Sequence, residues 1–257
     1  NAQRTEASPE WKHWQRAEEV KMQGLIDNGV WTQEERSKKK LVVSTTMLYK
    51  RKIGEDGKVE KYKSRLVAHG NRQIKGVHFQ EASSPAPSAT SAKTVLSLAA
   101  IQDWELRHVD FEKAYLQAPI DQQIFVEIPV EYREFPGAVG RLGKANYGLV
   151  QAGRCWSMKI TADLTAKGFE QLHADPSVFR KIVVIVTIIY MADLLISTKG
   201  PEIMHELLAD LRSDHKLKDL GDAKHYLGCH ITRDRTMTKI KIDRHLYARS
   251  MAERFGI

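Results

Sequence analysis

Apolar and polar positions along the chain alternate between helical and strand periods. Ser8-Pro9 reads as an N-cap followed by proline at the first helical position. The helix runs through Trp14, Ala17 and Leu25 and should end at Asp27-Asn28-Gly29, where glycine suits a left-handed cap. From Leu41 the pattern turns to strands. Val42, Val43 and Met47-Leu48-Tyr49 form one half of a hairpin and Val59 to Val67 the other, with the turn signal Asp56-Gly57 between them. Residues 83 to 91, rich in Ser, Pro, Ala and Thr, read as a connector. A mostly apolar helix over Ala92 to Ile101 follows, then a short alternating strand from Glu105 to Asp110. Gln123 to Ile128 is another strand, stopped by Pro129. A loop with Pro136-Gly137 leads to an amphipathic helix, Cys155 to Lys167, with Trp156, Ile160 and Leu164 on one face. Ile182 to Tyr190 is nearly all β-branched and apolar, as in a strand buried on both faces. Leu194 to Ser197 continues as a second strand, so Met191-Ala192-Asp193 must be a tight turn. Pro201 opens a helix with Ile203, Leu207 and Leu211 at helical spacing. A strand, Lys239 to Ile242, precedes a terminal helix through Leu246, Met251 and Phe255. There is no internal repeat.

Composition narrows the partners more than the fold. At 257 residues, 42% hydrophobic and 28% charged, the chain is globular, with room for one large domain or two small ones. Its net charge of +8 favours a polyanion, either nucleic acid or an anionic membrane surface. Lys50, Arg51, Lys52, Lys58, Lys61, Lys63 and Arg65 concentrate that charge on the first hairpin. Two cysteines, Cys155 and Cys229, are too few for a disulfide framework and read as buried free thiols. With His230 they lack paired-ligand spacing, so no zinc site is expected. No signal peptide is visible, and the longest apolar run, 182–189, is far shorter than the ~20 residues of a spanning helix. The chain reads as intracellular, and its first residue, not Met, suits a segment cut from a longer polyprotein.

Two acidic positions carry candidate chemistry. Asp110 ends the first buried strand, and Asp193 lies in the turn after the most apolar one. One reading is an ordinary turn aspartate, since Asp is common in turns. The other is a metal site: carboxylates from separate strands converge on magnesium, a hard oxygen-seeking cation. In two-metal nucleotidyl transfer such ions sit about 3.5–4 Å apart and stabilise the attacking and leaving oxygens. Spacing alone leaves both readings open.

The order of segments is similar to that of the copia-type reverse transcriptase domain of long-terminal-repeat retrotransposons. The resemblance is carried by Trp11 through Gly29-Val30-Trp31; by Asp56-Gly57 with Tyr62-Lys63-Ser64-Arg65-Leu66-Val67-Ala68; and by Asp103-Trp104-Glu105-Leu106 with Val109-Asp110-Phe111. It continues in Lys113-Ala114-Tyr115-Leu116, in Tyr147-Gly148-Leu149-Val150-Gln151-Ala152 with Trp156, and in Tyr190-Met191-Ala192-Asp193-Leu194-Leu195-Ile196. Lys218-Asp219-Leu220-Gly221 with Tyr226-Leu227-Gly228 completes it. Each segment is weak alone; their shared order and spacing are specific.

This resemblance implies an α+β fold on the right-hand polymerase plan, with an antiparallel palm sheet packed on helices. It implies an N-terminal helical segment over 1–29, fingers over 30–88 and 119–152, a palm over 89–118 and 153–235, and the start of a thumb or connection over 236–257. It implies RNA-directed DNA polymerase activity within a retrotransposon Pol polyprotein. The partners would be an RNA template, a DNA primer and deoxynucleoside triphosphates, with RNase H and integrase as other parts of the polyprotein and no membrane. The location would be cytoplasmic or within retrotransposon particles, and the cofactor two magnesium ions. Asp110 matches the first catalytic aspartate and a metal ligand, Phe111 a backbone carbonyl ligand, and Asp193 the last acidic residue of the family's Tyr-x-Asp-Asp turn. Tyr115 matches the aromatic that crowds a ribose 2′-hydroxyl, and Gln151 the residue along the incoming nucleotide. Lys63 and Arg65 fall on the strand facing the triphosphate; a solvated charged hairpin is the plainer reading of that pair.

The chief departure is Ala192, which stands where the family has the first Asp of the pair and a metal-binding carboxylate. Alanine offers a metal no donor, so the expectation is an inactive or severely impaired polymerase. The alternative is a non-catalytic RNA/DNA-binding remnant of such a domain. Another two-metal enzyme, such as a nuclease, is disfavoured by the Asp110 to Tyr115 spacing and by Gln151. Smaller departures are the loose Ser83-Ser84-Pro85-Ala86 segment, Gly153-Arg154, and Asn71 at a commonly aromatic position. Tyr147, Trp156 and Tyr190 are candidates to stack on nucleic acid, or simply core residues.

Overall fold

The computed structural model describes residues 9–54, 58–182 and 185–256. Ser8, the Asp56-Gly57 turn, and Val183 and Val184 of the long apolar run lie outside the described residues. In chain order the elements are α1 (Trp11–Asp27), β1 (Trp31–Glu35), β2 (Val42–Val43), β3 (Thr45–Ile53) and β4 (Val59–Ala68). Next come α2 (Ala89–Ile101), β5 (Glu105–Phe111), the short α3 (Ala114–Gln117), β6 (Phe125–Glu127), β7 (Ala138–Leu142) and α4 (Ala152–Ala166). β8 (Glu170–Leu172), β9 (Asp175–Lys181), β10 (Ile185–Tyr190), β11 (Asp193–Thr198) and α5 (Pro201–Asp214) follow. β12 (Leu217–Asp222), β13 (His225–Tyr226), β14 (Cys229–Asp234), β15 (Lys239–Asp243) and α6 (His245–Phe255) complete the chain. The fold is mixed, with several sheets and several helices.

These elements divide into two compact units, Asn1–Ser83 with Tyr115–Lys159, and Ser84–Ala114 with Ile160–Ile257. In the first, α1 packs on the β3–β4 hairpin. Trp14 is buried and presents its ring edge-on to Tyr49 and Tyr62, at 5.5 and 4.6 Å between centroids. The Ser64 hydroxyl donates to the Ala17 carbonyl at 2.7 Å. Alternation along β4 therefore turns Tyr62, Ser64, Leu66 and Ala68 inward, and Lys61, Lys63 and Arg65 onto the opposite face. α1 closes as expected: Gly29 takes φ +55°, and the chain re-enters through the Val30 N–H, bonded to the Leu25 carbonyl. A four-stranded sheet, order β1-β7-β6-β2, completes this unit, with β2 and β6 parallel.

The second unit is built on a six-stranded antiparallel sheet, order β12-β5-β11-β10-β9-β8. β10 is buried on both faces through Ile185, Thr187, Ile188 and Ile189, as its composition dictates. One core gathers Val95, Leu96 and Ala99 of α2 with Leu106, Val178, Ile188 and Leu195 of the sheet, closed by Tyr226 and Ile231. A separate three-stranded sheet, β13-β14-β15, precedes α6.

Asp175, at the start of β9, ties that strand to the entry of α2. Its carboxylate accepts from the Ser88 and Ser177 N–H groups at 2.8 and 3.0 Å, while the Ser88 hydroxyl caps the helix at the Ser91 N–H, 2.9 Å away. Burial alone would raise this carboxyl's pKa. Hydrogen bonds from Ser91, Ser88 and Ser177 outweigh it and hold the group below the ordinary carboxylate range. Asp175→Ala leaves two backbone donors without this acceptor and is expected to cost about 2–4 kcal/mol, read by urea denaturation. Because the folded pKa is depressed, the stabilisation is present above the unfolded pKa of about 3.9 and fades as pH falls through the lower folded value. A variant as stable as the parent at pH 7 would refute this.

Candidate active site

The candidate carboxylates come together at one end of the six-stranded sheet. β10 and β11 form a hairpin in which Tyr190 pairs with Asp193, so the turn is only Met191-Ala192. Asp193 was expected in that turn; it is instead the first residue of β11, drawn into the ladder by pairing with Tyr190 on one side and Asp110 on the other. Direct cross-strand partners project on the same face, so Asp110 and Asp193 face the same side of the sheet as neighbours. The Phe111 N–H donates to the Ala192 carbonyl at 2.8 Å and fixes the turn against β5. Met191 takes φ +53°, sparsely populated for a residue with a Cβ, and is 47% exposed.

Three neighbours shape this end. His108 lies two residues before Asp110, hence on the same face, and its Nε2 meets Asp193 Oδ1 at 2.9 Å. Lys218 of β12 is the cross-strand partner of Asp110 on the other side. The Tyr226 ring packs edge-on against His108 at 6.1 Å, and its hydroxyl donates to the Ile188 carbonyl at 3.3 Å. Burial, reinforced by the charges of Asp193 and Asp175, pushes that phenol's pKa up, so it stays neutral. None of these neighbours was anticipated from sequence. For His108 a signal existed, because the alternating strand puts it in phase with Asp110.

The family described as reverse transcriptase (RNA-dependent DNA polymerase) matches the chain over residues 28–257. The chain belongs to this family. It is 34% identical over 256 residues to the retrovirus-related Pol polyprotein from transposon TNT 1-94 of Nicotiana tabacum, a match covering 97% of the chain and 19% of the polyprotein. It is 30% identical over 197 residues to that from transposon RE1 of Arabidopsis thaliana, covering 75% and 13% respectively. Identity to the transposon Ty1-GR3 Gag-Pol polyprotein of Saccharomyces cerevisiae is 26% over 187 residues, covering 72% and 10%. The chain thus spans 19% or less of these curated relatives. Copia-type retrotransposon relatives agree with the expected family, and the chain is a reverse transcriptase domain of the kind these Pol polyproteins carry. Among the described residues, no helix is long and apolar enough to cross a membrane.

Of the remaining candidates of this reverse transcriptase domain, all but Phe111 and Tyr190 lie in the first unit. Lys63 and Arg65 share one face of β4, opposite Lys50 and Leu48 of β3. Like charges directly across a ladder are unfavourable, a cost that a bound polyanion would offset. Tyr115 is half-buried with its ring 5.4 Å from that of Tyr147, over which the Lys21 ammonium sits at 4.8 Å. Gln151 is fully buried: its amide donates to the His78 carbonyl at 2.7 Å and its oxygen accepts from Gln73 at 3.0 Å. Contact between this side chain and a nucleotide would require those two bonds to exchange. Phe111 is buried against His215, with ring centroids 5.3 Å apart, which leaves the backbone as its route to a ligand. Trp156 is 1% exposed and belongs to the core of α4, so it presents no stacking surface.

Proposed function

We propose that this domain is the fingers and palm of an RNA-directed DNA polymerase whose chemical step is crippled by Ala192. The observation that carries the reading is the cross-strand pair Asp110–Asp193 beside a turn that holds alanine. Two carboxylates placed side by side repel unless a cation meets them. Their hard oxygen donors, with the Phe111 backbone carbonyl, suit one magnesium ion. They do not suit the family's full two-ion set, because position 192 contributes no side-chain oxygen. Bound magnesium supplies Lewis-acid polarisation and charge neutralisation to phosphoryl transfer.

The chain's own residues would do the rest. Lys63 and Arg65 would meet the triphosphate, Tyr115 would crowd a 2′-hydroxyl, and the segment ending at Gln151 would flank the nucleotide. The division into two compact units supports a fingers part, over 30–88 and 119–152, and a palm part, over 89–118 and 153–235, with the 1–29 segment grouping with the fingers. RNA template, DNA primer and deoxynucleoside triphosphates are the proposed substrates. RNase H and integrase parts of a polyprotein are the proposed companions, in the cytoplasm or in retrotransposon particles. Ala192 equally favours a second reading, a remnant that binds RNA and DNA without catalysis.

Fluorescence anisotropy and primer extension on one RNA–DNA primer–template, in magnesium, test both halves. The expected result is binding that weakens steeply with salt, with extension near background. Lys63→Ala with Arg65→Ala should flatten the slope of log affinity against log salt by about 1–2. Salt-insensitive or absent binding overturns the nucleic-acid reading. Rapid synthesis by the unaltered chain overturns the defect.

A further inference from the structure

A second constellation of metal-binding side chains lies outside the carboxylate pair, on the small sheet that precedes α6. His230 sits on β14, Asp243 ends β15, and His245 is the first residue of α6. Their ligand atoms all lie within 4.8 Å of one another. Sequence spacing gave no hint of this, because the strand pairing His230↔Asp243 closes a gap of thirteen residues. Both imidazoles turn Nδ1 toward the same carboxylate: His245 toward Oδ1, in hydrogen-bond contact, and His230 toward Oδ2 at 3.5 Å.

The plain alternative is an aspartate turn ahead of the helix with two incidental ion pairs. Asp243 does receive the His245 N–H, at a long 3.4 Å, but that contact uses one oxygen only, and Arg244 rather than Asp243 holds the N-cap position. The His230 contact, at 3.5 Å, is too long for a good hydrogen bond. It matches the edge of a tetrahedron around an ion with bonds of about 2.0–2.2 Å, which is about 3.4 Å. Arg244, the neighbouring cation, directs its guanidinium to Cys229 Sγ at 3.2 Å. The Thr232 hydroxyl lies 3.4 Å from His230 Nδ1.

We propose that His230, Asp243 and His245 form a site for a divalent transition ion of the zinc class, which clips α6 onto the β14–β15 hairpin. Two imidazoles and one carboxylate are a borderline donor set that selects zinc-like ions over magnesium. A hard ion suited to Asp110 and Asp193 would therefore not compete here. Three protein ligands leave a fourth position for solvent. The ring of His225, across the ladder from His230, lies 5.0 Å from it.

The test is calorimetric titration of the chelator-treated full chain with zinc chloride, with and without millimolar magnesium. One tight equivalent is expected, indifferent to magnesium. At a hundredfold excess over its Kd it should raise the melting midpoint by roughly 5–10 °C. His230→Asn with His245→Asn should remove that equivalent. Asp243→Asn keeps the side-chain oxygen that meets the His245 N–H and should weaken it by at least about tenfold, since loss of even a supporting partner costs that much. Zinc should also slow amide hydrogen exchange in α6, a readout that ions on other histidines would not move. No tight equivalent, an equivalent that survives the double substitution, displacement by magnesium, or unchanged exchange in α6 would each overturn the assignment.

Discussion

Ala192→Asp is expected to raise the rate of primer extension on an RNA template, in magnesium, by about 10²–10³-fold over the unaltered chain. That scale is the usual loss when one preorganised group facing the charge of a transition state is removed. The position should accept the change without rebuilding. The Ala192 carbonyl already takes the Phe111 N–H at 2.8 Å, so the backbone of the turn is held independently of the side chain. Aspartate also suits turns better than alanine. The new carboxylate would stand beside Asp193 and its partner Asp110, completing an acidic trio. Three clustered charges repel without a cation, so Ala192→Asp should melt lower in chelator than in magnesium, by a wider margin than the parent. Ala192→Asn supplies similar volume and one oxygen without full charge, and should recover little. Asp110→Asn added to Ala192→Asp should return extension to background. If Ala192→Asp binds primer–template normally yet extends no faster, a missing ligand is not what limits this domain.

Much of this site was legible because its signals are local. The β10–β11 hairpin announces itself through an uninterrupted β-branched run followed by a second apolar strand, and the helix at Pro201 through its first residue. Asp110 follows from the end of the alternating strand β5, and Asp193 from the boundary between β10 and β11. Less legible were strands whose structure is imposed by a partner. β12 is an edge strand of half-polar sequence, Leu217 to Asp222, that exists by pairing with β5; β9 carries Pro176 as its second residue and yet completes a core through Val178 and Phe179. β1, with the sequence Trp-Thr-Gln-Glu-Glu, carries no run of β-branched or apolar residues and is a strand by pairing with β7. The same limit hid His108, whose meaning depends on Asp193 arriving from a strand 85 residues away. It hid the burial of Gln151 between Gln73 and His78 as well.

Gly148→Ala should cost about 2–6 kcal/mol, enough to threaten the first unit outright, since whole domains are stable by only about 5–15 kcal/mol. Two costs combine. Gly148 holds φ +88°, where a residue with a Cβ loses about 1–3 kcal/mol. An added Cβ would also fall 2.1 Å from the Ala68 carbonyl oxygen and 2.5 Å from Val67 Cγ1, and overpacking against groups that cannot yield adds about 1–3 kcal/mol. Neither side has room to move. The Ala68 N–H is bonded to the Tyr147 carbonyl at 2.8 Å, and the Val150 N–H to Gln73 at 2.7 Å. Gly70 makes the reciprocal approach, with its own missing Cβ 2.2 Å from the Gly148 carbonyl oxygen. The end of β4, three residues past Arg65, is thus locked to the segment bearing Tyr147 and Gln151 by backbones that touch where side chains are absent. Urea denaturation followed by tryptophan fluorescence suits the measurement, because Trp11, Trp14, Trp31 and Trp156 all belong to this unit. Gly76→Ala is the control: φ there is +86°, but nothing lies within 4 Å of the added carbon. It should show the backbone cost alone, so the difference between the two variants measures the close approach itself. Equal destabilisation by both would mean that the contact between β4 and the Tyr147 segment gives way more easily than its distances require.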